Sequence, residues 1–242
     1  MACSIRAFVT GEGNGHEDGA FKLASFKGRI GFMGQLAGKP ACSTRLIYAN
    51  HYRHAGLHWT APILPLDVTD ENSVRYAYEQ AASRFGALDS VINSAAILLG
   101  RDQKLEQLDF EQVEQTFQTN LFGPMSVLKH FLPLLLVGEK QSIINISSEA
   151  GSFAGAYGGD YSYALSKSAL NMFSAQLRRE LAPQGILVHA LHPGWIRTDM
   201  GGEKAPGDAA AAAVGILNIV ERVTEATAET LFIDHNGNPM HL

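Results

Sequence analysis

Cysteine is scarce in this chain. Cys3 and Cys42 are the only two in 242 residues, too few for a disulfide framework and at no spacing that holds a metal. Long apolar runs are missing too: the longest, Phe131 to Val137, contains Pro133 and is far too short to span a bilayer. The opening Met-Ala-Cys-Ser-Ile-Arg lacks the basic and then apolar layout of a secretory signal, so a cytoplasmic protein without membrane partners is expected. Positive charge is in deficit, with 19 Lys and Arg against 24 Asp and Glu, and the net charge of −5 gives no reason to invoke nucleic acid. Internal repeats and linker-like stretches are absent. The remainder is 46% hydrophobic and 18% charged, the balance of a globular protein with a sizeable core, and the length suits one large α/β domain over residues 1–242.

A sharper absence lies inside the chain. Between Asp18 and Asp67 no acidic residue occurs across 48 positions. The chain's own frequency predicts about five. The same gap holds Lys22, Lys27, Arg29, Lys39, Arg45 and Arg53, whereas residues 67–242 carry 12 basic and 21 acidic residues. The composition therefore divides a divergent segment, residues 1–66, from an ordinary one.

From residue 62 onward short apolar runs alternate with helical patterns. Strands are expected at 63–68, 88–93, 142–147, 185–191 and 230–234. Helices are expected after Asp70, from about Asp109 to Val137 with a kink at Gly123-Pro124, around Tyr163 and Lys167 to about Leu181, and near 208–222. Ser4 to Val9 is a plausible first strand, and Leu46 to Tyr48 is a further apolar run. Such alternation implies an α/β doubly wound parallel sheet of about seven strands with helices on both faces. Ligands bind such sheets beyond the carboxyl ends of the strands, where Asp67, Asn93, Ser148 and Pro193-Gly194 all fall.

One pair on the helical pattern carries chemistry. Tyr163 and Lys167 stand four residues apart, so a helix places phenol and ammonium on one face. A fixed positive charge beside a phenol favours its ionised form and makes it a usable proton donor and acceptor. Tyr157 and Tyr161 are rival phenols, but neither has a lysine four residues later. His189 and His192 have no carboxylate or cysteine at ligand spacing, so packing or hydrogen bonding is expected of them and no metal site is expected anywhere.

Six ordered markers give these residues company: Leu64-Pro-Leu-Asp-Val-Thr69, Asn93-Ser-Ala-Ala96, Asn120-Leu-Phe-Gly-Pro124, Asn145-Ile-Ser-Ser148, the Tyr163/Lys167 pair and Pro193-Gly-Trp-Ile-Arg-Thr198. With them the chain resembles the classical short-chain dehydrogenase/reductase family, and within it the C-factor-like carbonyl reductase branch, over roughly residues 62–242. The resemblance implies an NAD(P)-dependent oxidoreductase that interconverts a small-molecule carbonyl and an alcohol by hydride transfer. It implies that Tyr163 is the general acid or base and that Lys167 supports the phenol and meets the nicotinamide ribose. Ser148, in preference to Ser147, would hold the substrate oxygen, and Asn120 would fix a water near Lys167. For the cofactor it implies Asp67 and Val68 at adenine, Asn93 steadying the central strand and the cofactor, Pro193 and Gly194 at the nicotinamide, and Thr198 with the Ile196 backbone at the carboxamide. Trp195 is read equally as a substrate-facing wall or as core. A homodimer or homotetramer is the habit of the family.

The resemblance fails at the phosphate loop. Thr10, Gly11 and Gly15 fall in place after the first strand, but Glu17 occupies the third glycine position. Gly19, Gly28, Gly31, Gly34 and Gly38 then disfavour the helix that should follow, each costing a helix interior about 1 kcal/mol relative to alanine. Three accounts stand open. The segment is a divergent but working cofactor half, in which the missing acid after Tyr48 and the presence of Arg45 or Arg53 favour NADP(H), with NAD(H) possible. Alternatively the half no longer binds cofactor, leaving an inactive reductase-like scaffold for binding or signalling. Lastly, residues 12–61 are a product of a wrong reading frame or a mis-joined exon.

Overall fold

The computed structural model describes residues 30–35, 44–49, 63–226 and 229–242. One seven-stranded sheet organises them, in the order β3-β2-β1-β4-β5-β6-β7. The strands are β1 (Ile30–Gln35), β2 (Thr44–Ala49), β3 (Ile63–Leu66), β4 (Ser90–Asn93), β5 (Ser142–Ile146), β6 (Leu187–His192) and β7 (Phe232–Asp234). The helices are α1 (Glu71–Phe85), α2 (Phe110–Phe117), α3 (Gly123–Leu136), α4 (Tyr161–Leu181) and α5 (Ala209–Val220).

From β4 to β7 every pairing is parallel, as is β1 with β4. The expectation of a uniformly parallel sheet needs one correction: β2 runs antiparallel to both β1 and β3. The reason is chain length. Eight residues, 36–43, separate β1 from β2. A parallel crossover needs about a dozen or more, so a connection this short returns β2 antiparallel to β1. The strand beside β4 is also Ile30–Gln35, whereas the expected first strand, Ser4 to Val9, lies outside the described residues.

The helices begin where the sequence offers caps. Asp70, Asp109 and Asp208 each accept a backbone N–H from the first turn of α1, α2 and α5. α1 ends at Gly86, whose φ of 69° is the left-handed conformation that glycine tolerates. The expected kink of the long helical region at Gly123-Pro124 is instead a π-helical turn, Gln118–Phe122, immediately before it, and α3 continues through Pro133.

Adjacent strand residues point to opposite faces, and two apolar clusters follow. Val91, Ile143 and Val188 pack under α1, α3 and α4 with Val74, Leu128, Phe131 and Leu181. Ile92 and Ile144 point the other way, onto Ala212, Ile216 and Ile219 of α5. The helices thus cover both faces, as expected. Among the described residues no helix is long and apolar enough to cross a membrane.

Candidate active site

The carboxyl ends of β4, β5 and β6 form one edge. β5 ends in two serines with different fates. Ser147 is buried, and its hydroxyl donates to Asn171 Oδ1 at 2.6 Å. Ser148 is half-buried and caps the 3-10 turn Glu149–Gly151, its Oγ accepting from Ala150 N at 3.2 Å. Ser147 serves the fold, and Ser148 faces the edge.

α4 stands beside this turn. It enters through Asp160, held at φ 48°, whose carboxylate accepts from Asp102 N at 3.0 Å and from the Tyr157 hydroxyl at 3.2 Å. Partial burial and then the Asp160 charge push the Tyr157 phenol up to about 12, which holds it protonated. That rival phenol is committed to fixing the start of α4.

Lys167 lies in the same helix and is only 1% exposed. Its Nζ donates to Ile146 O at 2.7 Å and sits 5.5 Å from the centroid of the Tyr163 ring. A buried ammonium needs such partners, because desolvation without them is costly. Tyr163 is half-buried against Ala96, Leu98 and Met200, so its surroundings are apolar.

Gly151 sets the distance between the Ser148 turn and the Tyr163/Lys167 helix. A Cβ there would fall 2.6 Å from the Lys167 carbonyl carbon, closer than any real contact. Its own carbonyl accepts from Ser168 Oγ at 2.7 Å and Asn171 Nδ2 at 3.2 Å, pinning the turn to α4.

Asn120 lies in the π-helical turn and is fully buried. Its Oδ1 accepts from Ile97 N at 2.8 Å, while Nδ2 donates to Ile97 O at 2.9 Å and Ser166 Oγ at 3.0 Å. It joins the loop after β4 to α4 one residue before Lys167. Asn93 opens a second buried chain, donating to Asn145 Oδ1 at 2.8 Å, while Asn145 donates to Ser174 Oγ at 2.9 Å.

After β6, Pro193 leads into Gly194 at φ 89°, a conformation that favours glycine. Ile196 is buried and bridges to Gly207. Thr198 Oγ1 accepts from Gly201 N at 3.1 Å, and the Trp195 indole donates to Gly201 O at 2.9 Å. The ring of Trp195 is 56% exposed, so it is no core residue. Across the sheet, Asp67 Oδ1 accepts from Thr69 N at 2.9 Å and Thr69 Oγ1 at 2.7 Å, while Val68 is buried against Gly123. Thr10, Gly11 and Gly15 lie outside the described residues.

The fold therefore brings Asn120, Ser148, Tyr163 and Lys167 to the ends of β4 and β5, with Pro193 and Gly194 at the end of β6. Asp67 and Val68 follow β3, three strands from β4. The short-chain dehydrogenase family profile matches residues 48–209. The chain belongs to the short-chain dehydrogenase family. The match begins inside β2, so the family pattern takes in neither β1 nor anything before it. C-signal of Myxococcus xanthus is 34% identical over 153 residues, 63% of this chain and 91% of that protein, which agrees with the C-factor-like branch. The chain spans about half the length of other curated relatives it matches. Among solved structures, carbonyl reductase Sniffer of D. melanogaster is 30% identical with a TM-score of 0.68, covering 74% of this chain and 77% of its own. The NADPH-bound carbonyl reductase from chicken fatty liver is also 30% identical, with a TM-score of 0.65 and coverage of 74% and 76%.

Several site features of this short-chain dehydrogenase escape sequence reading. The π-helical turn under Asn120, the apolar surroundings of Tyr163 and the close approach at Gly151 depend on residues far apart in sequence. Gly151 alone left a trace, as a glycine between the serine pair and the helix. Ser94 is another: its Oγ is buried at the end of β4 and has no hydrogen-bond partner among the described residues.

Proposed function

We propose that the protein is a nicotinamide-dependent oxidoreductase that interconverts a carbonyl and an alcohol, with Tyr163 as the proton donor in reduction. The observation that carries this reading is the seating of the Ser148 turn on α4 at Lys167, through Gly151, next to Tyr163. The nicotinamide end fits a cofactor. Gly194 offers side-chain-free backbone in a left-handed conformation, and Ser94 leaves a buried hydroxyl unpartnered at the same edge. When bound, the cofactor supplies or accepts the hydride.

The chain's own residues do the rest. Ser148 donates a hydrogen bond to the carbonyl oxygen and orients it. Tyr163 gives its proton to that oxygen as negative charge develops there. The Lys167 ammonium, fixed beside the ring, stabilises the phenolate that remains. Ala96, Leu98 and Met200 keep water from the phenol. Asn120 holds the loop after β4 against α4, and a water at its edge would return a proton towards Lys167. Pro193, Gly194, the Ile196 backbone and Thr198 form the nicotinamide wall, Asn93 supports it from below, and Asp67 and Val68 would meet adenine. Substrates are small aldehydes and ketones, since the segment between Thr198 and α5 forms only a short lid.

NADP(H) is favoured over NAD(H) by the reversed β2. Arg45 pairs with Gly34 and Pro65 near the start of that strand. Because β2 is antiparallel, its beginning lies at the edge where β1 and β3 end, the edge that meets ligand. An arginine there suits a ribose phosphate. The exposed Met125, Leu165 and Met172 on α3 and α4 support self-association as a dimer or tetramer.

The same antiparallel pairing of β1 with β2 favours a second reading, an inactive scaffold. Among the described residues no helix stands between β1 and β2, the place where a helix N-terminus would receive a pyrophosphate. Calorimetric titration with NADPH separates the two. Micromolar affinity, with turnover of an aromatic aldehyde that Tyr163→Phe abolishes, supports the reductase; absence of binding at millimolar NADPH supports the scaffold.

A further inference from the structure

We infer that His192 is a positioning residue for Ser148, holding the serine turn against the end of β6 by accepting the Glu149 N–H at Nδ1. The inference rests on the reductase reading for its kinetic consequence, but its geometry stands apart. The β5–β6 ladder ends where Ser147 N donates to Leu191 O at 2.7 Å. Past that point the main chains diverge, and the next tie is made by a side chain: Glu149 N donates to His192 Nδ1 at 3.3 Å. Ser148 therefore lies between two tethers, one on each neighbouring residue. The far side of the turn is held separately by Ser168 and Asn171 on Gly151 O. Loss of the histidine tether should loosen Ser148 without unfolding the turn.

An acceptor at Nδ1 requires the neutral ring with its proton on Nε2. Protonation would set two N–H groups against each other and release the turn. The groups facing the ring are Glu149 from the turn, Asp234 at the end of β7 and His235 after it. Burial, with His235, keeps the imidazole below the usual histidine range, while Glu149 and Asp234 act the other way. The tether is therefore intact at neutral pH and is lost on acidification. Ser148 would then orient the carbonyl less well.

The test compares the full chain with His192→Asn, whose Oδ1 can accept in place of Nδ1 without titrating, and with His192→Phe, which fills the space without an acceptor. With NADPH and 4-nitrobenzaldehyde, His192→Phe should lower kcat about tenfold with KM for the aldehyde within about twofold, as expected for loss of an oriented hydrogen bond. His192→Asn should recover most of that loss and lack the acid limb of the wild-type pH profile. In parallel, ¹⁵N NMR should show His192 protonated at Nε2, and the Glu149 amide protected from exchange in the wild type and in His192→Asn but not in His192→Phe. Unchanged Glu149 protection in His192→Phe overturns the inference, as does unchanged kcat in an active protein. If the wild type itself turns nothing over, the reductase reading fails, and the Glu149 and Ser148 amide shifts still decide whether His192 fixes the turn.

Discussion

The two ends of the sheet are built by different rules. From β4 to β7 every pairing is parallel, β4, β5 and β6 each lead on to a helix, and a chain of buried polar side chains links Asn93, Asn145 and Ser174. From β1 to β3 the strands pair as antiparallel neighbours with no described helix between them. The first end holds Ser148, Tyr163 and Lys167, to which the proposed proton chemistry is assigned, and the second is where the proposed dinucleotide's charged half would lie. The contrast teaches that one sheet can keep a parallel strand–helix pattern at one end and pair antiparallel at the other. The candidate side chains Ser148, Tyr163 and Lys167 sit on α4 and just after β5, whose sheet neighbours are β4 and β6.

The sharpest way to break this comparison is at Tyr163. Tyr163→Phe should lower kcat about 10²–10⁴-fold, the range for general acid catalysis, with NADPH affinity nearly unchanged. Retained turnover would show that the centre is not where the intact half places it.

Acid should weaken the intact end selectively. His189 is buried in β6, and burial pushes it down to about 4; the backbone of Leu231 and Thr230 acts the other way without reaching hydrogen-bond geometry. Its folded value lies below the unfolded one of about 6.5. The unfolded chain therefore binds more protons between them, and stability falls as pH drops from about 6.5 towards about 4, by at most about 3 kcal/mol. Urea denaturation across that window should show the loss, and His189→Leu should flatten it.

Gly151→Ala tests the seating of Ser148 on α4. Overpacking against the Lys167 backbone should cost about 1–3 kcal/mol, read as a lower midpoint in denaturant, with kcat reduced as Ser148 moves. Normal stability and activity would mean that the turn has room that the geometry denies.

The smallest expected effect lies at the divergent end. Arg45→Ala should shift the ratio of NADPH to NADH affinity by about tenfold, the loss of one charge-assisted contact. An unchanged ratio would remove the reversed β2 from cofactor selection.

Much of the intact end was legible. The end of α4, the strands β4 to β7 and the shared helix face of Tyr163 and Lys167 follow from apolar periodicity and motif spacing, which act within a few residues, whereas Asn120 and Ser148 were singled out by resemblance. The reversal of β2 was not read, because Leu46 to Tyr48 is equally apolar in either direction. The π-helical turn was mistaken for a kink, since Gly123-Pro124 is the stronger local signal. Ser148 over Ser147 was legible only by resemblance; the structure supplies the reason, in the commitment of Ser147 to Asn171.

The Asp18–Asp67 gap, the caps, the helix face shared by Tyr163 and Lys167 and the alternation of strands with helices are properties of the sequence by itself, because each depends on near neighbours. The direction of β2, the buried ties of Asn120 to Ile97 and of Lys167 to Ile146, and the His192 tether beside Ser148 were decided only by tertiary structure. The physical reason is that each needs a partner brought from a distant segment. Chain length decided the reversal of β2, and the burial of polar groups decided the rest.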